Sequence, residues 1–327
     1  MKRALIFGIS GQDGAYLAKL LLAKGYEVCG ASRDAEAGRF EKLHHLGIYN
    51  AIRIESAAIT DFRSVLQTLS KINPDEVYNL SGQSSVGLSF LLPVETLECI
   101  SNATLNLLEA IRFIGKPIRF YNACSSECFG TTGNAAADEA TAFHPRSPYA
   151  VAKAAAFWQV ANYREAYGLY ACSGILFNHE SPLRAERFVT QKIVATAYRI
   201  AKGEDVKLHL GNLDVQRDWG WASEYVDAMW RMLQCVKADD FVIATGETHP
   251  LQEFVETAFA ALNLQWRDHV IINQDLFRPS DLQISKGNPA KALEILGWKA
   301  QSRMKDVVRM MVEACNGRIT SPGMPPL

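Results

Sequence analysis

Residues 4–25 fix how the fold begins. ALIFG (Ala4 to Gly8) is a short apolar run, ISGQDG is a glycine turn, and AYLAKLLLAKGY repeats apolar residues at helical spacing before closing on Gly25. The order is strand, Gly-rich turn, helix, and it then recurs. EVCGAS (27–32), AIRIESAAI (51–59), DEVYNLSG (75–82), IRFYNACSS (118–126) and LYACSGILFN (169–178) read as further strands. FRSVLQTLSKI, ATLNLLEAIRFIG and SPYAVAKAAAFWQVANYREAYG read as helices between them, the last starting at Ser147 with Pro148 in its first turn. Strands that are apolar almost throughout, alternating with helices, make a parallel sheet covered on both faces. The expected fold class is α/β, a doubly wound parallel sheet.

After Asn178 the pattern changes. Residues 181–203 give one more helix after an irregular start, and LHLGNLDVQRDWG (208–220) reads as a polar, Trp-containing loop. DAMWRMLQCV is amphipathic, DDFVIATG is a strand, and LQEFVETAFAAL and ALEILGW are small helices. This half suits a smaller C-terminal substrate-binding lobe laid over the carboxyl ends of the sheet. The expected division is 1–178 with about 214–246 as a dinucleotide-binding domain, about 179–213 with 247–315 as the lobe, and 316–327 as a disordered tail rich in Gly and Pro.

Composition narrows the partners. A net charge of −1 gives no global field for nucleic acid or an anionic membrane, so anionic ligands must be met by local Arg, Lys and helix ends. Seven scattered cysteines include no CxxC pair or Cys/His cluster, so neither a metal site nor a disulfide framework is expected, and reduced thiols fit a cytoplasmic protein. The chain starts on a strand rather than a signal peptide, and no run of 18 apolar residues suggests a membrane span.

Several groups carry chemistry. Gly8, Gly11 and Gly14 make GxxGxxG at the first strand–helix turn, where backbone N–H groups can approach a pyrophosphate. Tyr149 and Lys153 are four apart and share one helix face. A Lys beside a phenol favours the phenolate and should pull the Tyr pKa towards neutral, making a base for a sugar hydroxyl, although an exposed surface pair has the same spacing. Ser125 and Ser126 can donate to the same oxygen, and Glu127 adds a second acid/base group at a strand end. The end of the second strand offers Arg33, which suits a 2′-phosphate, and Asp34, which suits ribose hydroxyls, so position alone leaves NADP and NAD open. Arg39 is a second candidate phosphate partner. Asn178, His179, Glu180 and Arg184 follow the sixth strand at the same edge. Lys192, Arg217 and Arg278 are isolated bases that together can clamp a diphosphate. QRDWGW sets two tryptophans beside Arg217 and Asp218, a cluster costly to expose.

These segments bring a resemblance with them. GISGQDGAYLAKLLLAKGYEV, SSECFG, PRSPYAVAK, GILFNHESPLR, LGNLDVQRDWG, ATGETH and FRPSDLQ resemble the GDP-mannose 4,6-dehydratase family of extended short-chain dehydrogenases/reductases, from about residue 4 to 314. The resemblance implies a Rossmann-type sheet with a GDP-sugar lobe, tightly held NADP, and loss of water from GDP-mannose to give GDP-4-keto-6-deoxymannose. It assigns Ser125, Glu127, Tyr149 and Lys153 to catalysis. To the cofactor it assigns Gly8, Ser10, Gly11, Gln12, Asp13, Gly14, Arg33, Ala58, Ile59, Leu80, Ser81, Gln83 and Ser84, with Tyr149, Lys153, His179 and Arg184. To the sugar nucleotide it assigns Ser85, Ser126, Asn178, Glu180, Val189, Lys192, Arg217, Arg278 and Asp281. A homodimer or homotetramer is implied.

Departures from the family pattern fall mainly at the adenosine end. Ala58 replaces an acid at the adenine, Asp34 replaces the second of two arginines, and the loop that follows is shorter than the family's Ser-rich one. Gln283 replaces an Asp after FRPSDL. NADP preference and tetramerisation are therefore open, while the sugar chemistry is kept. The alternatives are a dehydratase of another GDP-sugar such as a GDP-manno-heptose, a 4-epimerase or 4-reductase, which would need no acid at position 127, or a non-catalytic sensor.

Overall fold

The computed structural model describes residues 1–133, 135–315 and 317. Apart from Gly317, the tail expected at 316–327 lies outside the described residues. The chain runs β1 (Arg3–Phe7), α1 (Gln12–Ala23), β2 (Glu27–Ser32), α2 (Glu41–His45), β3 (Arg53–Ser56), α3 (Phe62–Ile72) and β4 (Glu76–Asn79). Then follow α4 (Val86–Leu91), α5 (Pro93–Leu97), α6 (Ala103–Ile114), β5 (Arg119–Ser125), α7 (Pro148–Tyr167) and β6 (Ala171–Leu176). Next are β7 (Asn178–Glu180), α8 (Val189–Ala201), β8 (Leu208–Leu210), β9 (Gln216–Arg217), β10 (Trp219–Trp221), α9 (Ala222–Met232) and β11 (Phe241–Ile243). The last elements are β12 (His249–Pro250), α10 (Leu251–Ala260), β13 (Val270–Ile272), α11 (Ala290–Leu296) and α12 (Met304–Cys315).

Seven parallel strands form the main sheet in the order β11-β6-β5-β4-β1-β2-β3. This is the doubly wound α/β sheet read from the strand–helix alternation. Each strand splits its apolar residues between two cores. On β1, Ala4 and Ile6 face α1 and α9, while Leu5 and Phe7 join Val77 and Phe120 in the core under α3 and α6. The order reverses between β1 and β4, which leaves a crevice at their carboxyl ends.

Local sequence sets the helix that carries the motif. Ser147 caps α7, its Oγ accepting from the N–H of Ala150 at 3.1 Å, and Pro148 occupies the first turn. Such a cap is worth about 1 kcal/mol. Tyr149 and Lys153 follow on the inner face.

A separate core joins α8, α10 and α12 to Trp219 and Trp221. Here the sequence reading needs two corrections. The segment expected to be a loop contains β8, β9 and β10, which pair with β13, β12 and β7 respectively. Strands of two or three residues show no period of their own, and their partners are distant in sequence. The helix α12 was not expected at all. Its buried Met304, Val307, Val308, Met311 and Val312 do stand at helical spacing.

Candidate active site

A cavity of about 510 Å³ opens along the carboxyl ends of β1, β4, β5 and β6, between the sheet and the second core. Of the residues the family resemblance assigns to the site, all but Ser10, Arg33, Ala58 and Ile59 line it; Asp34 and Arg39, the other candidates at the cofactor end, do not.

The glycine loop forms its floor. Gly8 has φ +88, and a Cβ there would stand 2.6 Å from the Leu80 carbonyl oxygen; one on Gly14 would stand 2.3 Å from the Gly8 oxygen. Only glycine lets β1, β4 and α1 approach this closely. Gly11 caps α1 without a side-chain hydrogen bond, so the free N–H groups of the first turn face the cavity. This floor fits the pyrophosphate of a dinucleotide.

The loop is tied to the far side of the crevice. His179 Nε2 lies 2.9 Å from Asp13 Oδ2, and Nδ1 lies 2.8 Å from the Phe177 carbonyl oxygen. Both ring nitrogens meet acceptors, so both bonds form only when the ring is an imidazolium. Burial opposes the charge on each partner. Even so, their attraction raises the His179 pKa, and His179 with Gln12 holds the Asp13 carboxyl down to about 2. Gln12 donates to the His179 carbonyl at 3.2 Å and accepts from Ser181 Oγ at 2.7 Å. Glu180 is equally committed. It accepts from Thr190 Oγ1 at 2.7 Å and pairs with Arg184 at 3.2 Å. Asp13, His179 and Glu180 thus hold the walls together, with their polar atoms turned towards protein.

Ser125 ends β5, and its Oγ accepts from the N–H of Glu127 at 3.3 Å in the 3₁₀ turn Ser126–Phe129. The Ser125 hydroxyl also meets the Tyr149 phenol. Lys153 Nζ donates to the Ala123 carbonyl at 2.7 Å and lies 5.8 Å from the Tyr149 ring centre. The expected fall in the Tyr149 pKa is not found. Burial pushes the phenol well above its ordinary value, and of the surrounding groups it is the Ser125 hydrogen bond that pulls it down. The Lys153 charge is engaged on Ala123, and burial lowers its own pKa as well.

Glu127 lines the same cavity, within the field of Arg217 and Arg278. Burial raises its carboxyl pKa, and the charges of Arg217 and Arg278 partly counter this. Arg217 is buried and fixed, donating to the carbonyls of Leu282 at 2.7 Å and Gln216 at 2.9 Å and to Asp281 Oδ1 at 3.0 Å. Arg278 lies 3.6 Å from the same Asp281 oxygen. Arg217, Asp218, Trp219 and Trp221 are all buried, as their cost of exposure requires. Asp218 accepts from the N–H groups of Thr245 and Gly246, while burial raises its carboxyl to about 6. Lys192 Nζ donates to the His209 carbonyl at 2.6 Å.

The adenosine side is open. Arg33 and Ala58 are exposed at the ends of β2 and β3, and Asp34 Oδ1 accepts from the N–H groups of Glu36 and Ala37 at 2.9 and 2.8 Å. Ser10 is exposed, and its carbonyl takes the ammonium of Lys42 at 3.2 Å. Ser85 caps α4. The sequence reading missed Lys42, and also Arg187, His209 and Asn212, which line the lobe side of the cavity. For His209 the signal was local, since in Leu-His-Leu the flanking leucines are buried and the histidine exposed.

The sheet, the crevice and the Ser–Tyr–Lys set define the class, a Rossmann-type short-chain dehydrogenase/reductase fold. The family model for GDP-mannose 4,6 dehydratase matches residues 5–311, and the chain belongs to that family. The chain is 48% identical over 322 residues to GDP-mannose 4,6 dehydratase 2 of Arabidopsis thaliana, covering 95% of this chain and 86% of that one. The solved UDP-glucose 4-epimerase of Thermus thermophilus, in complex with NAD, superposes with a TM-score of 0.85 at 25% identity, over 97% of this chain and 100% of that one. RMD from Pseudomonas aeruginosa, complexed with NADPH, shares the fold at a TM-score of 0.80 and 23% identity, over 98% and 100% of the two chains. No helix among the described residues is long and apolar enough to cross a membrane.

Proposed function

We propose that the chain is a hydro-lyase that converts GDP-mannose to GDP-4-keto-6-deoxymannose and water. The observation that carries this is Glu127, a partly buried carboxyl with no hydrogen bond or ion pair among the described residues, in the same cavity as Ser125, Tyr149 and Lys153. A 4-epimerase or 4-reductase has no use for that acid. A nicotinamide held in this cavity would supply a reversible hydride acceptor, so that oxidation at carbon 4 and reduction at carbon 6 of the sugar cancel. Tyr149 takes the proton of the 4-hydroxyl, with Ser125 donating to the same oxygen. Lys153 has three N–H donors, so it can keep Ala123 and still offer a bond to a cofactor ribose and a charge to the phenolate. The new ketone acidifies the hydrogen on carbon 5, Glu127 removes that proton, a proton passes to the departing carbon 6 oxygen as water leaves, and a proton returns to carbon 5 as carbon 6 is reduced. Arg217, Arg278 and Lys192 hold the diphosphate end.

The cofactor reading is NADP. Asp34 spends its carboxylate on its own loop and so competes weakly for ribose hydroxyls, while Arg33 is exposed and can reach a 2′-phosphate. The division of the chain near 178 and 246 is supported by the separate core of the lobe, whereas Val215, Trp219 and Trp221, expected in the dinucleotide-binding part, pack into that core and speak against a boundary at 213. A homo-oligomer is supported by the apolar side chains left exposed on α4 to α7, among them Leu91, Val94, Phe113 and Trp158. Seven free cysteines suit a reducing, cytoplasmic setting. The test is incubation of the purified protein with GDP-, dTDP- and UDP-hexoses, read by mass for loss of water. Dehydration of GDP-mannose supports the reading. Inertness towards it, or epimerisation without loss of water, refutes it.

A further inference from the structure

Four carboxylates line the cavity, and three have a cation. Asp13 pairs with His179 at 2.9 Å, Glu180 with Arg184 at 3.2 Å, and Asp281 with Arg217 at 3.0 Å. The Glu127 carboxylate has no ion pair or hydrogen bond among the described residues, and the residue is only partly exposed, at the cavity wall. Drawing an unpaired carboxylate even partly out of water is costly, so the fourth acid needs an explanation.

The groups that face Glu127 supply it. From β9 and the loop before Gln283 come Arg217, Arg278 and Asp281, and from α7 comes the neutral phenol of Tyr149. Lys153, one turn beyond Tyr149, spends its ammonium on the Ala123 carbonyl. Two guanidiniums therefore stand against two carboxylates, and this wall is neutral when Glu127 is ionised. Arg217 cannot turn away, because the Leu282 and Gln216 carbonyls and Asp281 fix its guanidinium.

We propose that a bound diphosphate and Glu127 share the field of Arg217 and Arg278, so that nucleotide binding draws a proton onto Glu127. The inference rests on the nucleotide-sugar reading above, which brings the diphosphate to those arginines. In the free protein the guanidiniums stabilise the carboxylate against burial. A diphosphate cancels that field and adds its own repulsion, which raises the proton affinity of Glu127. The acid becomes a stronger base, and so better matched to a carbon 5 proton, only when substrate is in place. Without substrate it stays a weak base. The Arg pair then has two roles, holding the substrate and tuning the acid that acts on it.

The test measures protons. The probe is the methyl ester of GDP on its terminal phosphate, whose diphosphate has no group titrating near neutrality and whose methyl group cannot be dehydrated. Its binding to the protein saturated with NADP is followed by calorimetry in two buffers of different ionisation enthalpy, between about pH 5 and 7, the range over which a raised carboxyl titrates. The expected result is net uptake of a sizeable fraction of one proton per site in the native protein, lost in Glu127→Gln with affinity retained, and kept in Asp281→Asn. Binding without uptake overturns the inference and leaves the nucleotide-sugar reading standing. Uptake that persists in Glu127→Gln overturns it too, by assigning the proton to another group. Failure of the native protein to bind the ester at all refutes the nucleotide-sugar reading and the inference with it.

Discussion

The two ends of the crevice are built differently. At the sugar end, Ser125, Tyr149 and Lys153 are buried, and Ala123, Ser125 and the helix α7 fix their positions. At the adenosine end, Arg33 and Ala58 are exposed, and neither lines the cavity. Chemistry gains from desolvated, fixed groups because charge interactions strengthen as water leaves. On the proposed reading, recognition of the adenosine rests on a few solvated contacts. Substitutions should therefore act on rate at one end and on affinity at the other.

The strongest test of that division is Tyr149→Phe. Loss of the base should lower turnover by a factor on the order of 10²–10⁴ while GDP binding survives on the arginine wall. Near-native turnover in a kinetic assay would move the chemistry elsewhere. Glu127→Gln should separate the steps. Oxidation at carbon 4 needs only Tyr149, so reduced cofactor and 4-keto sugar should build up on the protein, visible as dihydronicotinamide absorbance. Release of dehydrated product at the native rate would strip Glu127 of its role.

The tie between the ends is the Asp13–His179 pair. The Asp13 carboxyl falls from 3.8 to about 2 on folding, so it contributes stability above the unfolded value that is lost as pH falls through the folded one. The imidazole of His179 is raised, so its share is present below the ordinary histidine value and lost as pH rises through the raised one. Asp13→Asn should cost about 2–3 kcal/mol near neutral pH, read by urea denaturation, and flatten the acid limb of the stability profile. An unchanged acid limb would mean that the pair is not formed in solution.

At the open end the effects shrink. Arg33→Ala should lose about 1.5–3 kcal/mol of NADP affinity with NAD nearly unaffected, as befits one charge-assisted contact. Equal losses for both cofactors would make Arg33 positional. Ala58 is exposed, its N–H held by Ser64 Oγ at 3.0 Å, so a longer side chain has room. Ala58→Asp should tighten adenine nucleotides by about 1 kcal/mol and leave the sugar steps unchanged at saturating cofactor. Titration of the two proteins side by side decides it, and no gain would place the adenine elsewhere.

Local features of the sequence determined the sheet, the glycine turn and the Tyr149–Lys153 face, because period, turn chemistry and i,i+4 spacing are written in neighbouring residues. The family resemblance marked most of the cavity wall, but not what each side chain does there. Only the tertiary structure decided that Asp13 and His179, 166 positions apart, neutralise one another, and that Glu180 serves Arg184 and Thr190. It also reversed the reading of Tyr149, whose pKa follows burial rather than the lysine on its face. The two- and three-residue strands β8 to β10 exist only because distant partners complete them. The helix α12 belongs on the other side of that line, since its spacing was legible throughout. Desolvation and pairing depend on which groups meet through space, and no spacing along the chain carries that information.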